Sequence, residues 1–386
     1  MTPPDAHGAP GPGHANADHP ITGVSTATTA FIGWAPRGHT EMAVEVENLR
    51  EFAEEFGEPD SRSLLGHAVR HFFDNGGTQA WIVRLPAAPG VVLTPDTEPF
   101  ERLLLPASGA GGAFLLDRAS SVNLLAVPGE TTPGVIAALQ AFAVARRIFL
   151  LIDAPQATMP FVPDPRIAGE AARNSAMYLP WLLPADAGTG TIHAFPPCGF
   201  VAGVYARTDR TRGVWKVPAG ADATLIGAPG PARPVTDRDV AALSEHGVNA
   251  IRSVNEHTVV WGSRTLAGVA GSASDWQYVN VRRLALFVEQ SVQEGTAWTI
   301  FEPNTESLWQ RIRVRVGTFL QTLYQQGAFP GNKPEEAFFV RCDRTTMTEE
   351  DIARGIVNIV VGFAPIKPAE FVLLRIGAKA SQTTVE

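Results

Sequence analysis

The chain has 386 residues, enough for one large domain or two to three ordinary ones, and at 45% hydrophobic it can bury a substantial core. Its net charge is −8 and it has no lysine or arginine cluster. That excludes nucleic acid and anionic membrane surfaces as main partners, because such affinity comes from basic groups displacing counterions from phosphate. A charged fraction of only 18% suits a subunit covered by neighbours, and equally a compact enzyme.

Residues 1–20 (MTPPDAHGAPGPGHANADHP) carry no large apolar side chain beyond the initiator and read as a flexible tail. They contain neither the basic nor the apolar region of a secretion signal. No apolar run approaches the roughly 20 residues of a bilayer span. Two cysteines, Cys198 and Cys342, are too few for a disulfide framework. The protein is expected to be cytoplasmic when made, with no direct membrane insertion.

Residues 23–35 (GVSTATTAFIGWA) suit a strand, and Pro36, Arg37 and Gly38 turn the chain. Residues 61–74 predict a helix with an apolar face of Leu64, Leu65, Ala68, Val69, Phe72 and Phe73, ended by Asn75-Gly76-Gly77. QAWIVRL follows as a buried strand. Residues 86–120, dense in Pro, Gly and Ala, read as a surface insertion or small subdomain. VNLLAVPG, a helix over 133–147 and RIFLLIDAP then form a βαβ unit, which favours parallel pairing, and a run such as FLLI predicts a strand covered on both faces. Further on, AMYLPWLLP, NAIRSV, TVVWGSRTL, AFFVRCD and IVNIVVGFAP read as strands. GFVAGVYARTDRTRGVW, YVNVRRLALFVEQSVQEGT and SLWQRIRVRVGTFLQTLYQQG read as helices. The expected fold class is α/β: a mixed, largely parallel sheet core flanked by helices, with a short inserted subdomain and extended terminal arms. The expected division is a tail (1–20), an N-terminal part of the core (21–85), the insertion (86–120), the main core (121–368) and a C-terminal arm (369–386).

Candidate catalytic residues do not converge. His67 and His71 have the i, i+4 spacing of zinc proteases, but Ala68 stands where the general base belongs, so they read as ordinary helix histidines. Gly109, Ala110, Gly111 and Gly112 lack the GK[ST] ending of a phosphate loop. No GxSxG elbow occurs, and Cys342 lies in an apolar strand. Asp153 and Asp343 close apolar strands, where catalytic carboxylates and structural turn residues are both common. No cofactor and no metal site is expected.

Three longer segments carry more weight: residues 199–220 (GFVAGVYARTDRTRGVWKVPAG), 279–309 (VNVRRLALFVEQSVQEGTAWTIFEPNTESLW) and 337–376 (AFFVRCDRTTMTEEDIARGIVNIVVGFAPIKPAEFVLLRI). With residues 21–38 and 65–85 they closely resemble the sheath proteins of contractile phage tails and related contractile injection systems. The resemblance implies a structural, non-enzymatic subunit. Its partners would be copies of itself in stacked hexameric rings, an inner tube protein, and baseplate and tail terminator proteins. It also implies that the strand after FAP-x-KPAEF joins the sheet of a neighbour. Here that arm is Glu370, Phe371, Val372, Leu373, Leu374, Arg375 and Ile376, with Pro365, Lys367 and Pro368 as its hinge. Without the resemblance, the same strand reads as an ordinary edge strand of its own chain.

One element of the family pattern is missing. No PGVYxEE-like first strand is present, so the N-terminal linkage falls to the segment holding Ile21, Val24, Thr26 and Thr28, or is lost; alternatively the chain is a specialised sheath paralogue at a tail end. Arg311, Arg313 and Arg315, which do not share one helix face, are the candidates for inner-tube contact. The competing class is an α/β hydrolase-like enzyme.

Overall fold

Unbroken apolar runs occupy the middle of an eight-stranded sheet, where both faces are covered. The computed structural model describes residues 20–156, 159–183 and 194–366, and the backbone of 372–379. In chain order the strands are β1 (Thr29–Gly33), β2 (Val44–Val46), β3 (Ala80–Arg84), β4 (Leu124–Ala126), β5 (Phe149–Asp153), β6 (Ser175–Leu179), β7 (Val248–Val254) and β8 (His257–Trp261). Their order across the sheet is β2-β3-β1-β4-β5-β6-β7-β8. From β3 to β7 all pairs are parallel, while β2 and β8 close the two edges antiparallel. This is the mixed, largely parallel α/β core that the alternation predicts.

Alternation along each strand divides the core into two layers. Phe31, Phe149 and Leu151 point into one, which is covered by helices α1 (Leu49–Phe56) and α2 (Leu64–Asp74). Ala30, Ile32, Leu150 and Ile152 point into the other, beneath α3 (Glu98–Leu104) and α4 (Pro133–Arg146). The stretch 86–120, expected to be a surface insertion or small subdomain, differs. Phe100, Leu104, Ala113 and Leu116 are buried in the second layer, so this stretch helps to roof the main sheet.

The remaining helices are α5 (Cys198–Arg212), α6 (Asp237–Glu245), α7 (Val279–Gly295), α8 (Glu306–Gln325), α9 (Pro334–Ala337) and α10 (Glu349–Ala353). Helix α5 crosses α2 at close range. A Cβ at Gly199 would come within 2.4 Å of the Ala68 carbonyl oxygen, and one at Gly203 within 2.6 Å of that of Phe72. Only glycine allows that approach. Beside this crossing, His71 of α2 stacks on Phe200 at 3.8 Å and meets Phe195 edge-on at 4.9 Å. The buried Nδ1 of His71 has no hydrogen-bond partner among the described residues.

A second, antiparallel sheet has the order β11-β10-β9, formed by β9 (Phe338–Arg341), β10 (Ile356–Phe363) and β11 (Val372–Lys379). It packs with α7 and α8 around a third core that includes Leu284, Val288, Trp309, Ile312, Ile359 and Phe363. Helix α7 ties this unit to the large sheet through two consecutive buried arginines. The Arg283 guanidinium, 3% exposed, forms two bonds to the Asp209 carboxylate, 5% exposed, at 2.6 and 3.0 Å. It also donates to the Thr26 carbonyl at 2.9 Å and stacks over Tyr205. Arg282 donates to Asn174 Oδ1 at 2.6 Å, pairs with Glu289 at 3.5 Å and lies over Trp276.

Two outcomes are expected. Asp209→Ala leaves a buried guanidinium without its counter-charge and should cost roughly 3–5 kcal/mol in a denaturant titration, whereas replacing Arg283 and Asp209 together by Met and Leu should recover most of that loss. Burial pushes His71 down to about 3. In the unfolded chain it takes up a proton below about 6.5, so the stability it contributes is complete above that pH and is lost as pH falls towards 3. His71→Phe should therefore gain on the parent by about 1.4 kcal/mol per pH unit between roughly pH 6 and 4. Denaturation midpoints across that range measure the gain, and parallel curves would mean that His71 is protonated in the fold.

Candidate functional site

The small sheet is the place where sequence and topology meet. In β10, IVNIVVGF, alternation sends Val357, Ile359, Val361 and Phe363 into the third core, where all are buried. The opposite face carries Gly362, whose absent side chain makes room for the Phe339 ring of β9. A Cβ at Gly362 would lie 2.3 Å from that ring. Arg341 stacks over the same ring at 5.2 Å. β9 enters from Ala337, whose carbonyl accepts from Ala364 N at 2.8 Å, the last backbone bond before the chain leaves β10.

β11 pairs antiparallel with β10 over eight positions, from Phe363↔Val372 to Ile356↔Lys379. Of the expected arm, Val372, Leu373, Leu374, Arg375 and Ile376 lie in this strand, which runs on to Lys379. Glu370 and Phe371 lie outside the described residues, as do hinge residues Lys367 and Pro368; Pro365 follows directly on β10. In the single chain, then, the strand is laddered on its own parent. Val372, Leu374 and Ile376 fall in register with the buried positions Phe363, Val361 and Ile359. β11 and β9 are the two edges of the sheet.

The segment proposed for N-terminal linkage is anchored inside the chain. Ile21 is buried in the third core, close against Gly295. Val24 N donates to Ser291 Oγ at 3.1 Å, and the Thr26 carbonyl accepts from Arg283. Thr28, also buried, accepts no free strand: its N–H donates to Asn123 Oδ1 and its hydroxyl to Gln79 Oε1. These four residues form a strap that leads into β1.

The three arginines of α8 are likewise engaged within the chain. Arg311 pairs with Glu302 at 2.5 Å and lies over Trp298, Arg315 stacks over the same ring at 4.1 Å, and Arg313 donates to the Cys342 carbonyl.

The candidate catalytic groups have structural partners. Asp153, at the end of β5, accepts from Gly129 N at 3.0 Å and Cys198 N at 2.8 Å, and burial pushes its carboxyl up to about 6. Burial pushes the Cys198 thiol well up and that of Cys342 up to about 12, so neither supplies a thiolate nucleophile near neutrality. Asp343 accepts from Thr345 N and Oγ1, shaping a turn, and these bonds hold its carboxyl below the usual range. His67 and His71 sit in the aromatic packing between α2 and α5. Among the described residues no cluster of three or more His, Cys, Asp or Glu could hold a metal, and no helix is long and apolar enough to cross a membrane.

Sequence reasoning did not find the Arg282–Arg283 tie. Its signal was present in VRRLALFV, two arginines set in an otherwise apolar helix. Nor did it find the exposed turn Ala297–Phe301, discussed below.

Comparison with known proteins bears on the whole of this arrangement. The family model for the phage tail sheath protein central domain matches residues 113–266, and that for the phage tail sheath C-terminal domain matches residues 272–379. A protein described as a prophage major tail sheath protein of Pseudomonas aeruginosa (strain UCBPP-PA14) is 26% identical over 272 residues, spanning 66% of each chain. Among solved structures, the helical sheath of the anti-feeding prophage in its contracted state superposes with a TM-score of 0.73 at 29% identity, covering 96% of this chain and 98% of that one. A chain of the anti-feeding prophage baseplate superposes with a TM-score of 0.72 at 29% identity, covering 98% and 100%. Spanning both units of the fold, from the large sheet's second half to β11, these matches place the chain in the phage tail sheath protein family, whose members are structural subunits and not enzymes.

Proposed function

We propose that this chain polymerises as stacked six-membered rings around an inner tube and contracts to drive that tube through a target envelope. The observation that carries the reading is the small sheet, in which an eight-position ladder is closed by the last strand of the chain. A strand joined to its domain by a short connection can leave its own sheet and complete a neighbour's with the same backbone bonds, as in domain swapping. A head-to-tail contact of this kind closes into a ring when its rotation divides a full turn and otherwise winds into a helical polymer, so two such contacts build rings that stack helically. The closed arm of the single chain and the donated arm of an assembled one are two placements of one strand.

Contraction would be rigid-body movement of subunits, with strand links holding neighbours together while other contacts exchange. The tie between α7 and the large sheet supports treating the subunit as one block. An inner tube, a baseplate and a terminator are the other partners the family reading brings. The tube contact is not placed on Arg311, Arg313 and Arg315, because their guanidiniums are engaged within the chain. A second reading, an end-layer sheath variant, is favoured by one observation: Ile21, Val24, Thr26 and Thr28 are bound to their own subunit, leaving the N-terminal linkage without a strand from that segment. Electron microscopy of the purified polymer separates the two, striated tubes supporting a main sheath and short terminal rings the variant.

Two experiments test strand donation. Val360 and Arg375 are register partners across β10 and β11. When Val360→Cys and Arg375→Cys chains are mixed as single variants and assembled, oxidation should yield disulfide-linked dimers, since the native Cys198 and Cys342 are buried. A disulfide that forms only when both cysteines are in one chain would overturn donation. Deleting residues 370–386 should leave a folded chain that no longer polymerises, and sheaths of normal length from it would count against the arm.

A further inference from the structure

Phe301 is 89% exposed, the most exposed large apolar side chain among the described residues. It ends the turn Ala297–Phe301 between α7 and α8, beside Ile300 at 37% exposure. Just over two turns into α8, on its outer face, Val314 is 62% exposed. This turn is held firmly. The buried Thr296 hydroxyl donates to the Val292 carbonyl at 2.7 Å, and the buried Thr299 hydroxyl to the Thr296 carbonyl at 2.8 Å. Behind it, Trp298 is stacked under Arg311 and Arg315. The Phe301 ring is thus presented to solvent by a braced support, at the cost of leaving its apolar surface wet.

The surroundings resemble half of a protein interface. An apolar centre is bordered by the Glu302–Arg311 ion pair, which supplies a polar rim. Beyond Arg311, the exposed positions of α8, Val314, Thr318, Thr322 and Gln325, carry no charge. β11 runs directly beside both α7 and the Ala297–Phe301 turn. Any copy of this chain that gives its last strand to this sheet, or takes one from it, must therefore arrive next to Phe301.

We propose that Ile300, Phe301 and Val314 form a contact between copies of this chain, covered by a second copy when the sheath assembles. The occupant follows from continuity with the strand-exchange edge, so this inference rests on that reading. Its chemistry requires an apolar, uncharged patch on the second copy, because a charged one would be desolvated against the Phe301 ring without a partner.

A photoreactive benzoyl-phenylalanine at position 301, irradiated in the assembled particle, should give a covalent product of twice the chain mass. Peptide mapping should locate it on another copy of this chain. A product with the tube or baseplate protein, or no product in assembled particles, would overturn the proposal. Phe301→Asp should keep the parent's unfolding midpoint, since the side chain is already in water, yet raise the concentration needed for assembly by about tenfold or more. Unchanged assembly would overturn the contact as well. The Val360→Cys and Arg375→Cys mixture, run in the Phe301→Asp background at high concentration, separates the two ideas. Linked dimers there, with impaired assembly, locate the defect at the turn; absence of linked dimers even in chains with native Phe301 is a failure of strand donation.

Discussion

The Arg283–Asp209 pair fixes how the two halves of this subunit meet, and the remaining features depend on it. Both side chains are almost fully withdrawn from water, where an ionised group survives only with a close opposite charge and satisfied donors. Arg283 meets that demand with the Asp209 carboxylate, the Thr26 carbonyl and the Tyr205 ring. Asp209 and Tyr205 come from α5, which covers the large sheet, and Thr26 from the N-terminal strap. Moving α7 would take Arg283 away from all three, so the pair favours this docking geometry even though an apolar replacement could match its stability. The small sheet, packed on α7 and α8, is thereby held in a defined relation to the large one.

In the proposed assembly a rigid mount matters, because the small sheet would exchange its edge strand. In β11 the ladder to β10 can be made by the parent's own strand or by an identical one from another copy, and the backbone bonds are the same in both. Their enthalpies nearly cancel in the exchange. What remains is the loss of translational freedom against the gain of contacts that only an assembled neighbour supplies. Between Phe363 and Val372 the connection spans at most about 30 Å when extended, which limits the exchange to an immediate neighbour. Small differences of this kind, multiplied over many subunits, are a natural store for the work of contraction.

Much of this fold was legible in the sequence, for reasons that can be traced to particular residues. FLLI in β5 announced a strand covered on both faces, the stretch holding TAFIG announced a strand, and α7 and α8 were read as long helices. Shorter polar elements were not legible. α1, LREFAEEF, follows a loop without strong punctuation, and α6, DRDVAALSE, buries only Leu243 and owes its start to a capping box at Thr236 and Asp239. Residues 86–120 looked like an insertion because Pro and Gly dominate them. Their few large apolar side chains nevertheless find the main core, which composition alone does not reveal. The end of β11 was placed early because Gly377, Ala378 and Lys379 lack strand-forming side chains, while the ladder is a backbone property that continues through them. At the candidate site, the strand itself could be read, but the engagement of the arginines and the N-terminal strap could not: the strap's partners lie far away in sequence, and those of Arg311 and Arg315 lie across the Ala297–Phe301 turn, whose path the sequence does not show.

In the proposed assembly, strand linkage and the Phe301 contact would divide the work of a moving polymer between two kinds of force. A β-ladder is directional: its bonds tolerate bending at the connection but not slippage, because a one-residue shift turns every side chain to the other face. It suits a link that must persist while subunits rotate. An apolar contact is non-directional and proportional to area, so it can be broken and remade at a new angle with little memory of the first. It suits the surface over which subunits trade neighbours. Because β11 runs beside both α7 and the turn, a rigid block in such an assembly could pivot about its strand while the braced turn passed from one partner surface to another. The exposed positions of α8 beyond Arg311 carry no charge, which fits that role, since fixed ion pairs there would hold the block in a single register.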